Sequence, residues 1–158
     1  MASLLSIGIQ GAILGLVATL AMDVVMRRLQ EGQTIPRVAA SVLTGDDPRD
    51  VTERRAKSVH YLAGVASGIL FLALLGLGWW LLGIGAGAFG LRGLLALAAS
   101  SLVLYGWLAG FFAVVVLPRY QGGMARQRLH TVRRTWAVLA GVQVGTLVVL
   151  WLVLTRLV

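Results

Sequence analysis

Asp23 and His60 are the residues of this 158-residue chain best placed to do chemistry. Asp23 is the only acid inside an apolar run, and an ionisable group at that depth is a functional hypothesis by default. It closes the series Gly11, Gly15, Thr19, Asp23, which recurs every four residues and so forms one stripe on a helix. His60 opens the next apolar run, on a stripe of its own with Gly64 and Gly68. An antiparallel hairpin brings the two together. Imidazole titrates near neutral pH, so the pair suits an ion or proton site near a membrane face. The plainer reading pairs Asp23 with Arg27, one turn along the same helix, and leaves His60 hydrogen-bonding at headgroup level.

A second acidic pattern, Asp46-Asp47-Pro48-Arg49-Asp50, resembles the DDxxD motif with which prenyl-diphosphate enzymes hold Mg²⁺. Those enzymes need a second acidic motif, and the remaining acids here are only Asp23, Glu31 and Glu53. The same residues read better as a helix start, with Asp47 as N-cap and Pro48 in the first turn. Asp50–Arg54 and Glu53–Lys57 then become i, i+4 pairs. No residue set calls for a catalytic role, a metal or a cofactor. His60 and His130 are the only histidines, and there is no cysteine.

These residues hang on four apolar runs, about 4–26, 59–82, 94–117 and 136–157. Each is 22 to 24 residues long, enough for a helix to cross a hydrocarbon core of ~30 Å. Apolar residues make up 58% of the chain and charged residues 13%, where soluble domains carry about 25% charged residues. The mean hydropathy of +0.86 agrees. The expected architecture is all-α: a single transmembrane domain over 1–158, an integral membrane four-helix bundle. The first run has no basic leader and carries a glycine face, so it reads as a retained span.

The net charge of +8 is a topology signal and not a nucleic-acid one. Arg27, Arg28, Arg37, Arg49, Arg54, Arg55 and Lys57 lie in the loop 27–58. Arg119, Arg126, Arg128, Arg133 and Arg134 lie in the loop 118–135. The other ends hold only Arg92 and Arg156. Both basic loops are therefore expected in the cytoplasm and both termini outside. The second loop has five arginines and no acid over eighteen residues, and these arginines are expected to contact anionic lipid headgroups. Within 33–45, Pro36 fits a helix start. Ile35, Val38, Ala39, Val42 and Leu43 form one apolar face, as of a short helix lying on the leaflet or docking a partner.

The chain repeats itself weakly. At an offset of 91, Gly15, Ala18, Val24, Val25, Arg28, Gln30 and Gly32 meet Gly106, Ala109, Val115, Val116, Arg119, Gln121 and Gly123. Ala63–Gly68 lies over Ala140–Gly145. This suggests two tandem hairpins in parallel orientation from an internal duplication. The positions matching Asp23 and His60 are Val114 and Ala137, so the ion site has no twin. Small-xxx-small faces at Gly11/Gly15, Gly64/Gly68, Gly106/Gly110 and Gly141/Gly145 are expected to pack the helices closely.

The glycine-striped first span, the Pro36-Arg37 pair and His60 opening a glycine-striped second span resemble the YagU-like group of small prokaryotic inner-membrane proteins. The likeness covers about the first seventy residues, implies a prokaryotic inner or plasma membrane, and implies no residue role. The residues point to a non-enzymatic accessory, assembly or lipid-organising membrane protein, either a homo-oligomer or a subunit of a larger membrane complex. The alternative is a small oligomeric transporter or channel with Asp23 and His60 near its cytoplasmic mouth.

Overall fold

The computed structural model describes residues 4–47, 49–85, 90–119 and 126–157. They form α1 (Leu4–Met26), α2 (Thr34–Thr44), α3 (Glu53–Leu81), α4 (Leu91–Phe111), α5 (Leu117–Arg119) and α6 (Arg126–Leu157). A π-helical turn, Phe112–Val116, joins α4 to α5. There the Leu117 N–H reaches back to the Phe112 carbonyl. Pro118, two residues past the turn, has no N–H to sustain a regular ladder. Among the described residues four helices are long and apolar enough to cross a membrane.

The first span keeps its expected limits, while α3, α4 and α6 start earlier than their apolar runs. α3 begins at Glu53 and α6 at Arg126, because Glu, Arg, Lys and Ala are good helix formers whatever their hydropathy. The start of α3 also corrects the expected cap. Asp47 Oδ1 accepts the Arg49 N–H at 2.8 Å, a local turn of the kind Asp favours. Thr52 caps the helix instead, its hydroxyl accepting from the Arg55 N–H. Glu53 and Lys57 do pair, at 2.6 Å, but Arg55 takes Asp46 at 3.0 Å. Pro48, and Gln121 and Gly123 of the repeat, lie outside the described residues.

α1, α3, α4 and α6 form a ring in which each helix touches the next and α6 returns to α1. The half away from the basic loops is filled by Leu14, Phe71, Leu75, Leu104, Leu147 and Trp151. The half near them is filled by Met22, Met26, Phe112, Val116, Val132 and Leu139. Leucines and valines facing outward, such as Leu16, Leu102 and Val149, are exposed, as spans in lipid require.

The closest approach is between α1 and α3. A Cβ on Gly11 would sit 2.7 Å from the Ile69 Cα. One on Gly15 would strike the Gly64 carbonyl, and one on Gly68 the Gly11 carbonyl. The stripes of the second half do not pack this way. Gly106, Gly110 and Gly145 have nothing within 4 Å of a Cβ, and Gly141 meets only the edge of Tyr105, at 3.9 Å.

α2 also departs from expectation. The helix forms, but its apolar face does not lie on a leaflet. Ile35, Val38 and Ala40 are buried against the bundle end, leaving Leu43 outside. Behind α2 the chain is clasped. Glu31 accepts from Arg128 at 2.8 and 3.3 Å and from the Thr34 hydroxyl at 2.6 Å. Thr135 donates to the Gln30 carbonyl at 2.8 Å. Glu31 has φ 65°, a left-handed conformation that costs a side-chain-bearing residue about 1–2 kcal/mol. The clasp holds it there.

Burial works to raise the Glu31 pKa, but the hydrogen bonds from Arg128 and Thr34 and the Arg128 charge outweigh it. The carboxyl titrates below its ordinary 4.5. A group depressed in the folded state contributes stability above its unfolded pKa and loses it as pH falls through the folded value. At pH 7, Glu31→Gln is therefore expected to melt below wild type in detergent, by the equivalent of about 1 kcal/mol. The two should converge once the pH drops well below 4.5. A constant gap across that range would remove the ionised clasp as its cause.

Candidate functional site

The glycine seam between α1 and α3 ends, toward the basic loops, in a carboxylate held on both oxygens. His60 Nε2–H donates to Asp23 Oδ1 at 2.8 Å, and Tyr61 Oη–H donates to Oδ2 at 2.6 Å. The His60 ring is almost fully buried and the Asp23 side chain about one-fifth exposed. The two rings tilt against each other with centroids 5.5 Å apart. Arg27 meets Asp23 through the backbone, its N–H bonding the Asp23 carbonyl, and no Asp23–Arg27 ion pair forms among the described residues.

Asp23 and His60, expected on facing stripes, meet in the structure. Tyr61 joins them from outside either stripe. His60 and Tyr61 are adjacent on α3, about 100° apart around its axis, and the carboxylate lies where both can reach it. The amphipathic tyrosine beside a span-opening histidine was the available signal.

One to two turns deeper is a second polar group. Thr19 Oγ1–H donates to the Gly15 carbonyl and Ser67 Oγ–H to the Gly64 carbonyl, each at 2.7 Å. These back-bonds leave both hydroxyl oxygens as acceptors. Gln143 of α6 fills the role of donor, with Nε2 2.9 Å from Ser67 Oγ and 3.4 Å from both Thr19 Oγ1 and the Gly15 carbonyl. Gln143 is buried, and its Oε1 has no partner among the described residues. It too escaped the sequence reading, although a lone amide amid an apolar span is the kind of residue that marks a helix contact.

Polar groups thus line the α1–α3–α6 seam from the basic-loop end to mid-bundle. Beyond them lie Leu14, Phe71, Leu75, Leu147 and Trp151. The upper cluster can share a proton between carboxylate and imidazole. The lower one has no ionisable member and ties α6 to the α1–α3 seam.

The remaining candidates are dispersed. Asp46 and Asp47 sit in the turn before α3, facing Arg55 and the Arg49 backbone, and do not share a helix with Asp50. Among the described residues no three His, Cys, Asp or Glu converge. Arg119, Arg133 and Arg134 are exposed, Arg128 is engaged by Glu31, and the Arg126 side chain lies outside the described residues. No family model matches the chain, and neither a curated protein nor a solved structure matches it.

Proposed function

We propose that the chain is a non-enzymatic accessory or assembly component of a prokaryotic inner or plasma membrane, packing against a further membrane-spanning chain through α4 and α6. The observation that carries this reading is the asymmetry of the glycine stripes. Gly11, Gly15, Gly64 and Gly68 are consumed at the α1–α3 seam, whereas Gly106, Gly141 and Gly145 face outward. Small-residue faces let helix backbones meet where lipid offers no hydrophobic drive. In this proposal the basic loops are cytoplasmic, both termini are outside, and the two hairpins descend from a duplication whose first copy has closed its face. The likeness to the YagU-like group belongs to the same proposal. Its carrying residues Gly11, Gly15 and His60 lie at the closed seam.

Native mass spectrometry after mild-detergent extraction from its own membrane tests the reading. The chain is expected with a second spanning chain, its own copy or a foreign subunit, and Gly106→Leu with Gly145→Leu should strip that chain away. A wild-type monomer, or an assembly indifferent to both substitutions, would overturn it.

The second reading is a small oligomeric transporter, favoured by the continuity of Asp23 and His60 with Thr19, Ser67 and Gln143. Proton uptake into liposomes that Asp23→Asn abolishes would put this reading first.

A further inference from the structure

An open groove of about 760 Å³ runs along one face of α3 at the basic-loop end. Arg54, Lys57 and Ser58 rim it, Tyr61 stands at its middle, and Leu62 and Val65 form its far part. We propose that this groove holds one anionic glycerophospholipid, its phosphate at Arg54, Lys57 and Ser58 and an acyl chain along Leu62 and Val65.

The lining changes character along the helix axis in the order a lipid does. Charged and hydroxyl groups come first, then an amphipathic phenol, then aliphatic side chains. From Arg54 to Val65 the axis rises roughly 16 Å, passing from ahead of the apolar run into it. Tyrosine favours the boundary between headgroups and hydrocarbon. Leu62 is 68% exposed, an apolar surface awaiting a chain.

Charge decides the class of headgroup. Glu53 is the one acid on the rim, and Lys57 already neutralises it at 2.6 Å. Arg54 has no ion-pair partner among the described residues. Asp23, which accepts from the Tyr61 hydroxyl, is a second acid at this end, and the Arg27 charge reaches that same hydroxyl, while Arg37 stands near Glu53. The cations left over are matched by a net negative headgroup and not by a zwitterion. The groove also differs from the exposed arginines of the second basic loop. Here charge, a phenol and an apolar strip line one groove on one helix face.

This inference rests on α3 crossing a membrane and not on the assembly role. The protein in mixed micelles with phosphatidylglycerol or phosphatidylethanolamine would be read by native mass spectrometry. One phosphatidylglycerol per chain is expected to survive where phosphatidylethanolamine is lost. Arg54→Gln with Lys57→Gln should weaken retention about 25-fold, about fivefold for each charge at an anionic surface. Leu62→Trp, which fills the apolar strip and leaves every charge in place, should also weaken it. Arg133→Gln with Arg134→Gln should leave it unchanged.

Equal losses from the two arginine-containing pairs, equal retention of the two lipids, or displacement by excess inorganic phosphate would each overturn the site. Alkaline carbonate extraction checks the membrane placement separately. A chain released by carbonate would refute that placement, whatever the lipid data.

Discussion

Gly68→Ala is expected to leave little folded protein, although it adds one methyl group. That methyl would meet the Gly11 carbonyl and lie 2.5 and 2.6 Å from the Gly15 N and Cα. All of these are helix backbone, with no rotamer to turn away. Overpacking costs about 1–3 kcal/mol where side chains can yield. Here α1 and α3 must part instead, which also stretches the bonds of Asp23 to His60 and Tyr61 and of Gln143 to Ser67. A loss of about 3 kcal/mol or more follows.

Gly106→Ala and Gly145→Ala are the matched controls, since nothing lies within 4 Å of their added methyls. Alanine is the better helix former, so these should be neutral or more stable by up to about 1 kcal/mol. Unfolding by sodium dodecyl sulfate titration, followed by circular dichroism, compares them. Three equal midpoints would remove the seam as the organising contact.

Asp23→Ala has the next largest expected effect. It strands two donors, the buried His60 Nε2–H and the Tyr61 hydroxyl, which both end on the one carboxylate. Hydrogen bonds to a charged group contribute about 1.5–3 kcal/mol, and an unsatisfied buried donor costs a similar amount. A loss of about 2–4 kcal/mol is expected on that basis. Asp23→Asn, which keeps one acceptor oxygen, should lose roughly half as much. Tyr61→Phe removes one donor, and the cycle joining it to Asp23→Ala should show a coupling of about 1–2 kcal/mol. If Asp23→Ala unfolds at the wild-type midpoint, the carboxylate is not clamped and the transport reading loses its site.

Apolar length alone located the four spans, because a run of twenty-odd residues has few alternatives. Stripe arithmetic also put Asp23 opposite His60, since both lie on glycine series at the same depth. What escaped had physical reasons. Glycine spacing says that a face is small and not which neighbour will use it, so Gly106 and Gly145 read the same as Gly11 and Gly64. Asp47 and Thr52 are both good caps, and only the tertiary path past Asp46 and Arg55 selects the second. Gln143 was hidden by its neighbours, because its partners Ser67 and Thr19 belong to other helices and no local pattern links them. α2 was legible as an amphipathic helix. Its partner was not, since a bundle end and a leaflet surface ask for the same apolar face.

The seat of α2 has a consequence for the order in which the chain can be completed. Asp23 and His60 lie 37 positions apart, so the first seam can close once α3 has emerged. Glu31 and Gln30 find their partners 97 and 105 positions later, in Arg128 and Thr135. Through the synthesis of everything between, Ile35 and Val38 have no cover from α6. α2 itself rests mainly on α3 and can dock once that helix emerges, so the closing of Glu31 and Gln30 onto α6, and not the burial of α2, marks a chain whose final span is in place.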